Sequence, residues 1–328
     1  MAGDCINLAG YRIRPYEVNR GETDAALEEC KVLLRDALQH RKNLVAALLR
    51  CRRRLNQIAV NRLRPKPKVS IIGEFWAMTT EGDGNHRLQR FLEGEGAEVD
   101  IQPVTAWVLY NMWEHQFDTR KRLMLRGEDE GVVGLKGRDG ATKLAVLWGG
   151  AKAVRAIFGL YTRAIGLGNY HLPDMDQVAT ISHQYYDNHL RGGEGHMEVG
   201  KLINTVTHRK AHMVISIKPF GCMPSSGVSD GVQSLITARY PEAIFTAIET
   251  TGDGEVNVQS RIQMDLFKAR KRAEAEYRAA IERSGLEEST LEQKFRRKAK
   301  ALHNPPHVVA GTAANQVLEL AGIGEWTA

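Results

Sequence analysis

Cysteine is scarce in this chain: Cys5, Cys30, Cys51 and Cys222 are the four among 328 residues. They are scattered and include no CxxC pair, which excludes a disulfide scaffold and a zinc ribbon and points to a reducing, cytoplasmic setting. No stretch approaches 18 consecutive apolar residues, so no membrane partner is expected. Residues 1–14 lack the continuous apolar segment behind a basic region that marks a secretory signal. Neither a GxGxxG fingerprint nor a GxxxxGK[ST] phosphate loop occurs, so dedicated dinucleotide or ATP binding is not supported. Aromatic residues are few, at 7%. None is interleaved with the basic run between Arg35 and Lys68, which weakens any single-strand stacking platform.

What is present describes a globular chain. Apolar residues make up 43% and charged residues 26%, with 45 Lys and Arg against 39 Asp and Glu, a net charge of +6. Such a composition and length suit two packed domains. The basic run (Arg41, Lys42, Arg50, Arg52, Arg53, Arg54, Arg62, Arg64 and Lys66 among it) reads first as a solvated helix face. Nucleic-acid binding is the weaker alternative.

The spacing divides the chain into four regions. Residues 1–64 are helical. Leu27, Cys30, Leu34, Leu38, Val45, Leu48, Cys51, Leu55 and Ile58 recur mostly at steps of three or four, the stripe of one long amphipathic helix. Cys30 and Cys51 on that stripe read as small buried hydrophobes. Pro65 and Pro67 end it. Residues 65–191 form a first α/β unit. A buried strand at 69–73 is followed by a loop to Gly84, a helix opening near Asn85 with Asp83 or Asn85 as cap, and a strand at 97–104. A helical insertion then contains helices at 107–126, 143–165 and 174–190 and a surface loop at 126–140. Residues 192–285 form a second unit, with strands at 213–217 and 243–248 and a long helix from Asn257. Residues 286–328 are a helical, basic tail. The fold class is α/β, with two Rossmann-like parallel-sheet units, a long N-terminal helix and helical insertions.

In open parallel sheets, ligands sit beyond the carboxyl ends of the strands. Three loops occupy that place, at 73–84, 218–226 and 249–255. Two of them echo each other: Thr80-Glu81-Gly82-Asp83-Gly84-Asn85 and Thr251-Gly252-Asp253-Gly254-Glu255, followed by Asn257. Both follow a buried strand and precede a helix, as two related units or as two chance glycine turns. Glu74, Glu81, Asp83 and Glu255 are candidates for acid–base work, with helix capping or simple solvation as the alternative. Trp76, Glu194, Lys218, Ser225 and Asn257 are candidates for substrate contact. Gly192-Gly193-Glu194-Gly195 is a further place where backbone can approach a ligand. Cys222 lies in a glycine- and proline-rich loop between strand and helix. Helix amides and Lys218 would favour its thiolate, making it a nucleophile, a soft-metal ligand or an inert loop residue.

These loops also carry a resemblance. Lys66-Pro67-Lys68-Val69, Ile72-Gly73-Glu74-Phe75, Gly192-Gly193-Glu194, Pro219-Phe220-Gly221-Cys222-Met223-Pro224 and Gly252-Asp253-Gly254-Glu255 occur in that order. Over roughly residues 62–270 the chain resembles the 2-hydroxyacyl-CoA dehydratase family, which includes benzoyl-CoA reductase subunits and activase-related proteins. The resemblance implies Rossmann-like subdomains and a [4Fe–4S] cluster held by cysteine thiolates. It also implies an ATP-dependent iron–sulfur activator and transfer of a low-potential electron to a CoA thioester. On this basis Cys222 is expected to be a cluster ligand. The family's other ligands lie in a cysteine-bearing N-terminal domain, where this sequence has a basic helix. The expectation is therefore a cluster completed by a homologous cysteine-bearing partner subunit, or a scaffold subunit that has lost it.

Overall fold

Four short apolar runs, Lys68–Gly73 (β1), Glu98–Ile101 (β2), Met213–Pro219 (β3) and Ile244–Thr250 (β4), build one sheet in the computed structural model of the chain. The structure describes residues 1–124, 139–168, 170–190, 194–252 and 254–324. Most of the surface loop expected at 126–140, together with Gly192, Gly193 and Asp253, lies outside the described residues. The helices are Ala2–Ile13 (α1), Glu22–Gln39 (α2), Leu44–Leu55 (α3), Phe75–Thr79 (α4), Leu88–Gly94 (α5), Val104–Met124 (α6) and Gly140–Ile165 (α7). They continue with Met175–Ser182 (α8), Gly195–Thr207 (α9), Met223–Gly227 (α10), Gln233–Arg239 (α11), Glu255–Ser284 (α12), Glu288–Lys298 (α13) and Thr312–Ala321 (α14).

The sheet is all-parallel with order β2-β1-β3-β4. The two βαβ units meet edge to edge, because β1 pairs with β3 from Val69 opposite Met213 to Gly73 opposite Ile217. The class is thus α/β, as expected, with both units sharing one sheet. Alternate strand residues serve opposite layers. Val69, Ile71, Met213, Ile215 and Ile217 pack with Leu88, Leu92, Ile262 and Leu266 of α5 and α12. Ile72 and Val214 pack with Val199, Leu202, Ile203 and Ile236 of α9 and α11. Gly73 is obligatory where β1 leaves the sheet. It has φ +129°, and a Cβ there would stand 2.0 Å from the Ile217 carbonyl oxygen.

The N-terminal region differs from the single long helix expected. The apolar stripe is divided between α2 and α3, which fold back on each other across residues 40–43. Four consecutive polar residues, His40-Arg41-Lys42-Asn43, carry no apolar side chain to continue the stripe. Arg41 takes a left-handed φ of 50°. The Asn43 side chain accepts from the amides of Val45 and Ala46, at 2.9 and 3.2 Å, and so starts a new helix. Folding back brings Cys30 and Cys51 together: each thiol lies 3.9–4.0 Å from the other residue's carbonyl oxygen. Residues 1–14, unpatterned in sequence, form α1 and bury Cys5. Arg50, Arg52 and Arg53 are exposed, as a solvated face requires, whereas Arg62 is fully buried.

A second core lies in this helical module. Leu48, Leu55 and Ile58 share it with Phe158 of α7, with Leu291 and Phe295 of α13, and with Val317 and Leu318 of α14. Among the described residues α7 is the one helix long and apolar enough, by length and composition, to cross a membrane, although no unbroken apolar run of that length exists. Apart from Gly140 at its start, its buried residues gather at its C-terminal half (Phe158, Thr162, Ala164 and Ile165), and Val146 and Trp148 are exposed.

Candidate functional site

Parallel pairing puts the ends of β1, β3 and β4 at one sheet edge, and backbone bonds lace their loops together. The Glu74 amide donates to the Ile217 carbonyl at 2.9 Å, and the Phe220 amide to that of Thr250 at 3.2 Å. At this edge Trp76, Phe220 and Met223 stand 71%, 75% and 82% exposed, and Val256 on the first turn of α12 is exposed as well. Cys222 is half-buried on the same edge. It is the N-cap residue of α10 and its side chain makes no capping bond.

Beneath the edge is a buried polar layer. Ser216 and Lys218 are two apart on β3, so both face the side covered by α9. There Glu198 of α9 accepts from Ser225 Oγ at 2.9 Å and from Ser216 Oγ at 3.5 Å. Lys218 Nζ donates to Ser226 Oγ at 3.3 Å. Burial raises the Glu198 carboxyl to about 8; the Glu194 charge adds to this, while the serine hydrogen bonds and Lys218 oppose it. Glu198 therefore holds its proton at neutral pH. Glu194, also raised by burial, accepts from Trp107 Nε1 at 2.8 Å, and the Trp107 ring stacks on Phe75 at 4.3 Å. His196, pushed down to about 4 by burial, is a neutral imidazole between Tyr110 and Trp113, and its Nε2 has no hydrogen-bond partner.

The two echoing glycine turns converge on one cavity of about 560 Å³. Gly84, His86 and Arg87 line one side, and Thr250, Thr251, Gly252 and Glu255 the other. His86 and Arg87 both take left-handed φ, 53° and 50°. This strained pair precedes α5, whose N-cap is Arg87 and not Asp83 or Asn85. Asn85 turns inward instead, donating to the Ala77 carbonyl and to Gln89 Oε1, both at 3.0 Å.

The expected site residues thus divide. Lys218, Ser225 and Glu194 belong to the buried layer, Cys222 and Trp76 to the exposed rim, and Glu255 to the cavity. Glu74 spends one oxygen capping α4, accepting from the Ala77 amide at 2.9 Å. Glu81 accepts from the Tyr11 hydroxyl and ties the loop to α1. Asn257 is exposed on the first turn of α12. The Asp83 backbone lies in a short 3-10 turn, and its side chain lies outside the description. Sequence reasoning passed over Glu198 and His196. Their signal was present: Glu194 and Glu198 are four apart and share a helix face, amid residues otherwise too apolar for a solvated helix.

The cysteines do not assemble. Cys5, Cys30 and Cys51 sit in the helical core. Burial pushes the Cys5 thiol up to about 12, and Cys51 beside it raises Cys30. Among the described residues, no group of three or more His, Cys, Asp or Glu side chains is placed to hold a metal. A cubane takes four ligands, so the residues present do not fit a [4Fe–4S] cluster held by this chain alone. No family model, curated protein or solved structure matches the chain.

Proposed function

We propose that this chain is one subunit of a cytoplasmic 2-hydroxyacyl-CoA dehydratase-like or acyl-CoA reductase-like complex, binding its CoA thioester at the carboxyl edge of the sheet. One observation carries the reading. Of the four cysteines, Cys222 alone stands at the carboxyl edge, on the edge that also exposes Trp76, Phe220 and Met223, and its turn is held from below by the protonated Glu198 through Ser225. In this reading a homologous cysteine-bearing subunit covers these exposed apolar side chains. It brings the thiolates that, with Cys222, complete a [4Fe–4S] cluster served by an ATP-dependent iron–sulfur activator. Because this chain supplies only part of that ligand set, no reaction step is assigned through it.

This chain's own residues have narrower tasks. Glu198 presents a neutral carboxyl that donates a hydrogen bond where a carboxylate would repel. Lys218 and Ser226 hold the α10 turn that carries Cys222. Trp107, fixed by Glu194, backs the Phe75 and Trp76 wall against an acyl group. Glu255, with His86 and Arg87, lines the wider cavity that suits the polar part of the substrate.

Anaerobic co-expression with a cysteine-bearing partner, followed by iron and sulfide analysis, tests the reading. The expected result is a brown complex whose iron content falls in the Cys222→Ser variant while the two subunits stay associated. A coloured complex indifferent to Cys222→Ser overturns it. The dispersal of the other three cysteines favours a second reading, a non-catalytic scaffold. A colourless complex that dissociates in a Trp76→Glu/Phe220→Glu variant establishes that alternative.

A further inference from the structure

The Arg62 guanidinium is buried and is met mainly by backbone carbonyls. Its exposure is 1%, yet it makes no ion pair among the described residues. Its Nη1 donates to the Lys300 carbonyl at 3.0 Å, and its Nη2 donates to the carbonyls of Ala301, at 2.5 Å, and Arg12, at 3.4 Å. Its Nε has no partner. Glu98, whose charge reaches Arg62, is already engaged by the Tyr16 hydroxyl at 2.8 Å. Arg12 lies beside it, donating to the Leu302 carbonyl at 3.0 Å, and burial and the Arg62 charge both lower it. Isolated buried cations are costly unless an anion compensates them.

Arg62 lines a cavity of about 350 Å³ between the 299–303 connector, α13 and α14. Arg297 and Lys300 stand at its rim. The one carboxylate among the described residues of the lining, Glu319, is taken by His303 at 2.8 Å and by Gln316 at 2.9 Å. Among the described residues of the lining, three permanent cations therefore meet one carboxylate that is already bonded. The volume lies at the small end of metabolite sites. Planar guanidinium forks with a lysine at the rim suit a multiply charged tetrahedral oxyanion better than a single carboxylate.

We infer that this cavity is a binding site for a phosphate group, contacted by Arg62, Arg297 and Lys300, with His303 and Gln316 at its wall. None of these residues belongs to the carboxyl-edge loops, so the inference stands apart from the proposed function. The phosphate is either free or carried by a larger molecule, and the two sources share the same chemistry here.

Calorimetric titration of the full chain at low salt tests this, with inorganic phosphate, pyrophosphate, a nucleoside diphosphate and succinate as probes. Saturable binding of at least one phosphate probe is expected, with succinate weaker. The Arg297→Glu/Lys300→Glu variant, altered only at exposed rim positions, is expected to lose at least about tenfold in affinity. A matched reversal at exposed positions outside the cavity, Arg50→Glu/Arg120→Glu, is expected to leave affinity within about twofold. Tight inorganic phosphate identifies a free ion as the ligand; binding of the nucleotide alone identifies a carried phosphate. No saturable binding by any phosphate probe, equal affinity for succinate, or equal losses in the two charge-reversed variants each overturns the inference.

Discussion

A carboxyl that stays protonated at neutral pH leaves a signature in stability. Glu198 holds a proton in the folded chain up to about pH 8, whereas the unfolded chain releases it in the ordinary carboxylate range. Between those limits the native state binds more protons, so stability falls as pH rises. His196 works in the opposite sense: kept neutral down to about pH 4, it costs stability as pH drops below the ordinary imidazole range. The Glu198→Gln variant is expected to flatten the loss of thermal stability between pH 5 and 8.5, by on the order of 2 kcal/mol. Melting curves that run parallel in the two proteins would show that Glu198 is ionised in the fold. Gln233 gives a second test. It is fully buried, and neither its amide nitrogen nor its amide oxygen has a partner. Removing two unsatisfied polar atoms at similar volume is expected to stabilise, so Gln233→Leu should raise the unfolding free energy by about 1 kcal/mol. A loss of that size in urea unfolding would mean the amide is satisfied after all.

At the scale of elements, legibility followed burial. Strands at 69–73 and 213–217 were readable because apolar runs buried on both faces leave a compact signal, and 243–248 because its alternate residues are buried at the sheet edge. The α2–α3 hairpin was not readable as two helices. Leu38 and Val45 lie seven apart, two helical turns, so the stripe crosses the turn without a phase break. The informative residue was Asn43, a cap in the midst of a basic run. Asn43→Ala is expected to cost about 1 kcal/mol in thermal melts, since it frees the Val45 and Ala46 amides. An unchanged midpoint would mean that helix packing alone sets the turn. The loop expected after Gly73 contains α4 for a similar reason. Glu74, weighed there as catalyst or cap, accepts a capping bond, and a carboxylate with several possible jobs cannot be assigned by residue type. The α10 turn, the π-turn at Val228–Val232 and α11 follow one another without a break, which no periodicity of 3.6 reveals.

For the whole molecule, the sequence indicated which loops gather at the carboxyl edge of the sheet but not what lies beneath them. Loop positions follow from strand order, which short apolar runs announce. Glu198 reaches the site from α9, across a layer, and such long-range convergence has no local pattern. The cysteines sort by module in the same way: three in the helical core and one on the sheet edge. Titration of native protein with an aromatic disulfide is therefore expected to modify a single thiol rapidly, one that disappears in Cys222→Ser, and all four after unfolding. Rapid reaction of a second thiol in the native protein would contradict the burial of Cys5, Cys30 and Cys51.

The clasp of Arg12 and Arg62 on the 299–303 connector also sets an order of events during synthesis. Arg62 binds carbonyls 238 and 239 positions away, and Arg12 one 290 positions away. A ribosome delivers about 5–20 residues per second, so α1, α2 and α3 wait on the order of tens of seconds for α13 and α14. During that interval Leu48, Leu55 and Ile58 have no final cover, while β1 to β4 and the helices around them can already assemble. The helices made first are thus the ones whose core is completed last, and it is during translation that their apolar residues depend most on chaperones.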